Sequence, residues 1–313
     1  MKYARILSAV AQQVWAMQPE KLSAMLEFLR FAADGGVNTP DMLAAKIGKR
    51  EDRAIAQRSG AVMVIPIVGI IGYRMSMMDD ISGGGGFSVA AFRQVFHAAV
   101  NDDSIKLIIL DVDSPGGVVG GVPELARDIA AARARKTIIS VVNPLSASAG
   151  YWLAAAATEV VASPSSDTGS VGVYTVHENW SKYLEAEGIG HEFIHYGEHK
   201  VEGNSWEPLS DSARQHLQAR VDEAGEMFTG DLATFRDIKQ SVVRETFGGG
   251  RVYGPAEAMS RGMVDRIATL EETLARFDVG PLATAAPQPP EGRSAHRRAL
   301  AERRLALLEH SIT

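Results

Sequence analysis

Apolar positions along the chain follow two different spacings, and the change between them divides the sequence. Ile6, Val10, Val14 and Met17 recur at helical spacing, and Leu22, Met25, Leu26 and Leu29 continue the pattern after Pro19. Asn38-Thr39-Pro40 has the chemistry of a helix start. Residues 1–58 are therefore expected to form an N-terminal helical extension. Its expected role is a cap on the main domain or an arm touching another subunit, in preference to a removable pro-segment.

The pattern changes at Val62. Residues 62–71 are almost continuously apolar, which predicts a buried β run. Further strands are predicted over 107–112, 137–142, 160–162, 171–173 and 191–196. Helical spacing predicts helices over 89–100, 122–135, 149–157, 180–187 and 210–238, the last with Leu217, Val221 and Met227 turned inward. Strand and helix alternating at these intervals predict an α/β domain over residues 59–280. Val252-Tyr253-Gly254-Pro255 leads into a short helix, and 263–267 is predicted to close the sheet. Residues 281–290 are rich in proline and alanine and read as a linker, followed by a charged helix over 295–310. Residues 281–313 thus form a third region.

Composition removes several classes of chemistry. The chain contains no cysteine, which excludes thiol nucleophiles, disulfides and thiolate metal sites and suits a reducing cytoplasm. A net charge of −6 argues against a nucleic-acid partner, which usually meets a basic face. Gln12, Gln13 and Gln18 interrupt the first apolar run, unlike a signal peptide. Residues 137–158 carry no charge, yet their middle is polar, small and turn-like, so no membrane span is expected. The glycine run at 82–86 lacks the spaced glycines and lysine of a phosphate loop.

Acyl transfer needs a nucleophile, a base and donors for an oxyanion. Leu145-Ser146-Ala147-Ser148-Ala149-Gly150-Tyr151 is a small-residue turn between a predicted strand and a predicted helix, a place where a side chain is exposed beside unpaired amides. Local sequence does not separate Ser146 from Ser148, and either serine also suits a helix N-cap. Asp113-Ser114-Pro115-Gly116-Gly117 follows a buried strand, and its glycines allow close backbone approach. A base could come from His177, His191, His195 or His199, or from Lys200, which acts as a base only when burial lowers its pKa. The apolar wall of Phe193 and Ile194 is the expected source of that burial.

Taken in order, these segments resemble the signal peptide peptidase A family of serine–lysine peptidases, and within it the phage branch of prohead or capsid-maturation proteases. Asp113 to Gly117 resembles the Ser-Pro-Gly-Gly turn. Ser146 to Trp152 resembles the Ala-Ser-Gly-Gly-Tyr nucleophile motif. Thr168-Gly169-Ser170-Val171-Gly172-Val173 resembles the Thr-Gly-Ser-Ile-Gly-Val strand, and Gly197-Glu198-His199-Lys200 the loop carrying the lysine. Gly250 to Tyr253 and Gly262 to Asp265 resemble the closing segment. Ala149 stands where the family usually has glycine.

The resemblance covers roughly residues 60–270 and implies a Clp/crotonase-like spiral of ββα units. It implies Ser148 as nucleophile, Lys200 as general base, and the amides of Gly117 and Ala149 as the oxyanion hole. The implied partner is a peptide or protein substrate lying extended beside the Gly-Gly strand. Capsid or scaffold proteins are its expected source, in the host cytoplasm or inside a prohead. A homo-oligomer is implied; no metal, cofactor or nucleic acid is. Three alternatives remain on sequence grounds: a non-catalytic scaffold or assembly protein, a crotonase-type acyl-CoA enzyme, and a Clp-like histidine triad using His177.

Overall fold

A computed structural model describes residues 13–33, 56–74 and 86–279, which fall in one compact unit. The expected features at Ile6, Val10, residues 38–40, 82–85 and 281–313 lie outside the described residues. The chain first forms β1 (Trp15–Met17) and helix α1 (Pro19–Ala33), then β2 (Gln57–Ser59), β3 (Val62–Val68), β4 (Ile70–Gly72) and β5 (Gly86–Ser88). Helix α2 (Val89–Asn101), β6 (Leu107–Ser114), β7 (Gly116–Val118), α3 (Val122–Ala132), β8 (Thr137–Ala147) and α4 (Ala149–Ala154) follow. The remainder is β9 (Glu159–Ala162), β10 (Asp167–Gly169), α5 (Ser181–Ala186), α6 (Asp211–Arg236), α7 (Gln240–Thr246), β11 (Val252–Tyr253), α8 (Pro255–Ser260), β12 (Arg266–Ile267) and α9 (Leu270–Ala275).

Two sheets result, and the chain passes between them repeatedly. The larger runs β11-β10-β8-β6-β3-β2, with β9 and β12 branching from β8; the smaller runs β1-β7-β4-β5. In the larger sheet β3, β6, β8, β9 and β10 pair in parallel. The near-continuous apolar sequences of β3, β6 and the first half of β8 fit strands covered on both faces. Each of the first two units places one strand in the large sheet and the next in the small sheet before a helix returns across the face. This repeat of two strands and a helix is the ββα unit that the family resemblance implies.

Each joint between the sheets carries a glycine with unusual backbone. Gly69 (φ 86°) separates β3 from β4, and Gly116 (φ 97°) starts β7 after Pro115. Both positive φ values favour glycine. Ser114 ties the joints together: its hydroxyl donates to the Gly69 carbonyl at 2.7 Å and accepts from the Gly116 amide at 3.2 Å.

Several predicted elements differ. Val14 and Met17 do not continue a helix, because Trp15–Met17 pairs antiparallel with β7. Residues 171–173 are not a strand; β10 lies just before them. Residues 191–196 form no strand and leave Ile194 and Tyr196 exposed. In α6 the buried face is Ala213, Ala224, Phe228, Asp231, Leu232 and Phe235, while Leu217, Val221 and Met227 are half-buried beside it. Only Arg266–Ile267 of the expected closing strand pairs, with β9.

Candidate active site

The apolar core fixes α4 first. Residues Ala149–Ala154 are buried on every side, as expected of a helix lacking a polar face. Trp152 stacks on Phe228 of α6 with ring centroids 4.2 Å apart, and its indole N–H donates to Asp231 Oδ2 at 3.0 Å. Arg127 of α3 donates to the other oxygen of Asp231, and the Tyr151 hydroxyl donates to the Met263 carbonyl at 2.8 Å. The helix that begins after Ser148 is thereby held from three directions.

Ser148 itself sits at a sharp reversal. β8 runs straight into α4, and the single residue between them has φ 55° and ψ −119°. A non-glycine residue in such a conformation stores on the order of 1–3 kcal/mol of strain, which surrounding structure must sustain. Its amide donates to the Gly169 carbonyl at 2.7 Å, and its hydroxyl has the Gly172 carbonyl as acceptor at 3.4 Å. Ser146, two residues earlier, is an ordinary strand residue registered between Ser114 and Thr168, and its buried hydroxyl has no hydrogen-bond partner. Geometry thus separates two serines that local sequence left equivalent: Ser148 occupies the elbow, and neither caps the helix through its side chain.

The two segments expected to supply oxyanion donors flank this elbow. Ala149 opens α4, where the first amides of a helix lack intrahelical acceptors. Gly117 lies in β7, and a β-carbon there would fall 1.9 Å from the Ile71 carbonyl oxygen, so only glycine fits. A β-carbon on Gly116 would lie 3.0 Å from Ser148 Cβ, which places the Gly-Gly strand directly against the serine.

The lysine is not part of that cluster. Lys200 is exposed in the turn 197–204, where its amide donates to the Gly197 carbonyl at 3.2 Å. It lines a cleft of about 490 Å³ together with His177, His199, Glu202, His216 and Arg220. The Ser212 hydroxyl, aided by His199, holds the Glu202 carboxyl below the usual range. The anticipated apolar wall is absent: Ile194 is 96% exposed, and Phe193 stacks on Trp206. His177 bonds the Asn204 carbonyl at 3.0 Å, and His191, His195 and His199 are exposed. No side-chain base contacts Ser148 among the described residues.

Sequence reasoning also missed two neighbours. Ser148 is fully buried, β1 pairs with the Gly116–Gly117 strand beside it, and Tyr174 bonds the far edge of β1. An apolar triplet such as Trp15-Ala16-Met17 carries no signal of which surface it will cover.

Residues 130–281 match the model of Peptidase family S49. Among curated proteins, the chain is 31% identical to the capsid assembly protease C of Escherichia phage lambda, over 72% of this chain and 51% of that protein. It is 29% identical to the head-tail preconnector protein GP5 of Enterobacteria phage P21, over 87% of this chain and 53% of that protein. The chain therefore spans about half the length of these relatives. Among solved structures, a membrane-bound stomatin-specific protease aligns with a TM-score of 0.42 and 14% identity, over 70% of this chain and 85% of that one.

Proposed function

We propose that this chain, which carries a Peptidase family S49 domain over residues 130–281, is a serine endopeptidase that processes capsid or scaffold proteins during phage head assembly. The observation that carries the reading is Ser148, held in a strained elbow at the start of a buried helix and flanked by the Gly117 strand. The names of two relatives, a capsid assembly protease of phage lambda and a head-tail preconnector protein of phage P21, support the substrate class. No helix among the described residues is long and apolar enough to cross a membrane, and we place the activity in the host cytoplasm or inside the prohead.

In this reading Ser148 Oγ attacks the scissile carbonyl, the Gly117 and Ala149 amides hold the developing oxyanion, and Lys200 accepts the serine proton and later delivers it to the leaving amine. An exposed ammonium is a poor base, because water stabilises its charged form and desolvation is one means of favouring the neutral amine. Lys200 therefore becomes the base on assembly. A second copy covering Ile189, Ile194, Tyr196 and Trp206, all exposed here, would dry the 197–204 turn and set the amine against a serine.

The test is hydrolysis of capsid and scaffold proteins followed by mass analysis of fragments. Ser148→Ala abolishes cleavage with the fold retained, and Ser146→Ala keeps it. Lys200→Ala loses activity, and Lys200→Arg does not restore it, since guanidinium stays protonated. Near wild-type turnover in Lys200→Ala, with His177→Ala inactive, would replace the lysine by the histidine as base. Full activity in Ser148→Ala would end the serine reading.

A further inference from the structure

The strand lying over Ser148 belongs to the same chain. β1 pairs antiparallel with β7 in the register Trp15↔Val118, Ala16↔Gly117 and Met17↔Gly116. The ladder continues on both sides: the Val119 amide donates to the Val14 carbonyl at 3.2 Å, and the Gln18 amide to the Pro115 carbonyl at 3.0 Å. Antiparallel pairs alternate between those that exchange hydrogen bonds and those that do not. With Val14/Val119 and Gln18/Pro115 bonded, the pair between them that exchanges both bonds is Ala16/Gly117. The Gly117 amide, an oxyanion donor in the proposed mechanism, thus points at the carbonyl oxygen of Ala16.

The other edge of the segment is also bonded. Trp15 and Tyr174 exchange backbone bonds of 2.7 and 2.9 Å, and the Thr175 hydroxyl donates to the Gln13 carbonyl at 3.0 Å. Residues 13–18 therefore lie extended between two backbone rails, the arrangement in which a peptide joins a sheet edge. A single point, the β-carbon position on Gly116, is 2.1 Å from the Ala16 oxygen and 3.0 Å from Ser148 Cβ. Anchoring comes from a small apolar cluster, in which Trp15 and Met17 pack with Leu22, Met25 and Leu26 of α1 against Ile70, Val118, Tyr174 and Trp180.

We infer that residues 13–18 occupy the peptide groove as the enzyme's own first substrate and that the Ala16–Met17 bond is a self-processing site. The inference rests on the peptidase reading and adds the bond that is cut. Ser148 Oγ bonds to the Ala16 carbonyl carbon and gives its proton to the base. The Ala16–Met17 C–N bond breaks, and that proton passes to the Met17 amine. Water then hydrolyses the Ala16 ester, returning the hydroxyl of Ser148. Until the cut is made, the groove is closed to other peptides. Afterwards Met17 remains anchored through α1, while the piece ending at Ala16 is free to leave the rails. Alanine at the cut suits the tight space between β7 and the elbow.

The experiment follows the intact mass and N-terminal sequence of purified wild-type and Ser148→Ala chains, alone and mixed, with hydrolysis of denatured casein and of a hexapeptide matching residues 13–18 measured in parallel. The expected result is a wild-type chain beginning at Met17, and a Ser148→Ala chain that stays whole even in the mixture. Wild type that stays whole while hydrolysing casein overturns the inference and leaves the peptidase reading standing. Trimming at another bond overturns the assigned register, and trimming of Ser148→Ala by added wild type overturns the intramolecular assignment. A wild-type chain that neither trims itself nor hydrolyses casein or hexapeptide defeats the peptidase reading and this inference with it.

Discussion

Replacing Asp111 by asparagine should make the protein more stable above pH 6 and leave it unchanged near pH 3. Asp111 lies on β6, three residues before the serine that ties the two sheet joints, and the Asn143 side chain of β8 is its hydrogen-bonding neighbour. Burial raises its carboxyl from 3.8 to about 6; Asn143 opposes the rise, and the charges of Asp113 and Glu271 add to it. One of its oxygens is buried without any hydrogen-bond partner. Because the folded-state value lies above the unfolded one, the folded chain binds more protons between the two, and stability falls as pH rises through that window. A difference of this size corresponds to about 3 kcal/mol, complete above pH 6 and absent below the unfolded value. The amide that replaces the carboxyl cannot ionise, so the urea midpoint of Asp111→Asn should exceed that of wild type at pH 7.5, converge with it at pH 3.5, and lack the intervening slope. Equal midpoints at pH 7.5, or a wild-type midpoint that rises between pH 4 and 6 with no contribution lost in the variant, would refute the argument.

Asp231→Ala leaves the Trp152 indole N–H without its acceptor and should cost about 1–3 kcal/mol in urea unfolding, with Asp231→Asn losing less. Gly117→Ala drives a β-carbon into the Ile71 carbonyl and should cost about 1–3 kcal/mol or more with hydrolysis lost. Gly120→Ala, where a β-carbon meets nothing within 4 Å, should stay within about 0.5 kcal/mol of wild type.

The central strands were legible because continuous apolar runs such as residues 62–68 and 107–112 admit few other interpretations, and the helices behind them followed from spacing. Ser88 and Ser210 cap α2 and α6 through their hydroxyls, a signal present in the sequence. What failed shares one cause. Trp15–Met17 is a short apolar stretch and residues 191–196 a short mixed one, and the state of each depends on a distant partner: the first found a sheet edge, and the second did not. Helical spacing of Val14 and Met17 was overridden by backbone pairing of residues 14–18 with the strand around Gly116 and Gly117. The elbow was legible as a location, and local sequence left Ser146 and Ser148 equivalent; the resemblance to the family's nucleophile motif favoured Ser148, which is the serine whose backbone makes the reversal. The placement of Lys200 was beyond local reading, since the chain's own surface leaves it in water.

The complete burial of Ser148 changes what chemical labelling can report. A serine-directed phosphonate must approach the hydroxyl from the side on which Ala16 now lies, so the covered chain should stay dark to such a reagent whatever the nucleophilicity of its serine. Labelling intensity would then track the fraction of molecules whose groove has been vacated. Label that appears on the trimmed chain and not on the whole one would mark the groove as closed before the cut, and the same reagent, applied over time, would become a clock for its opening.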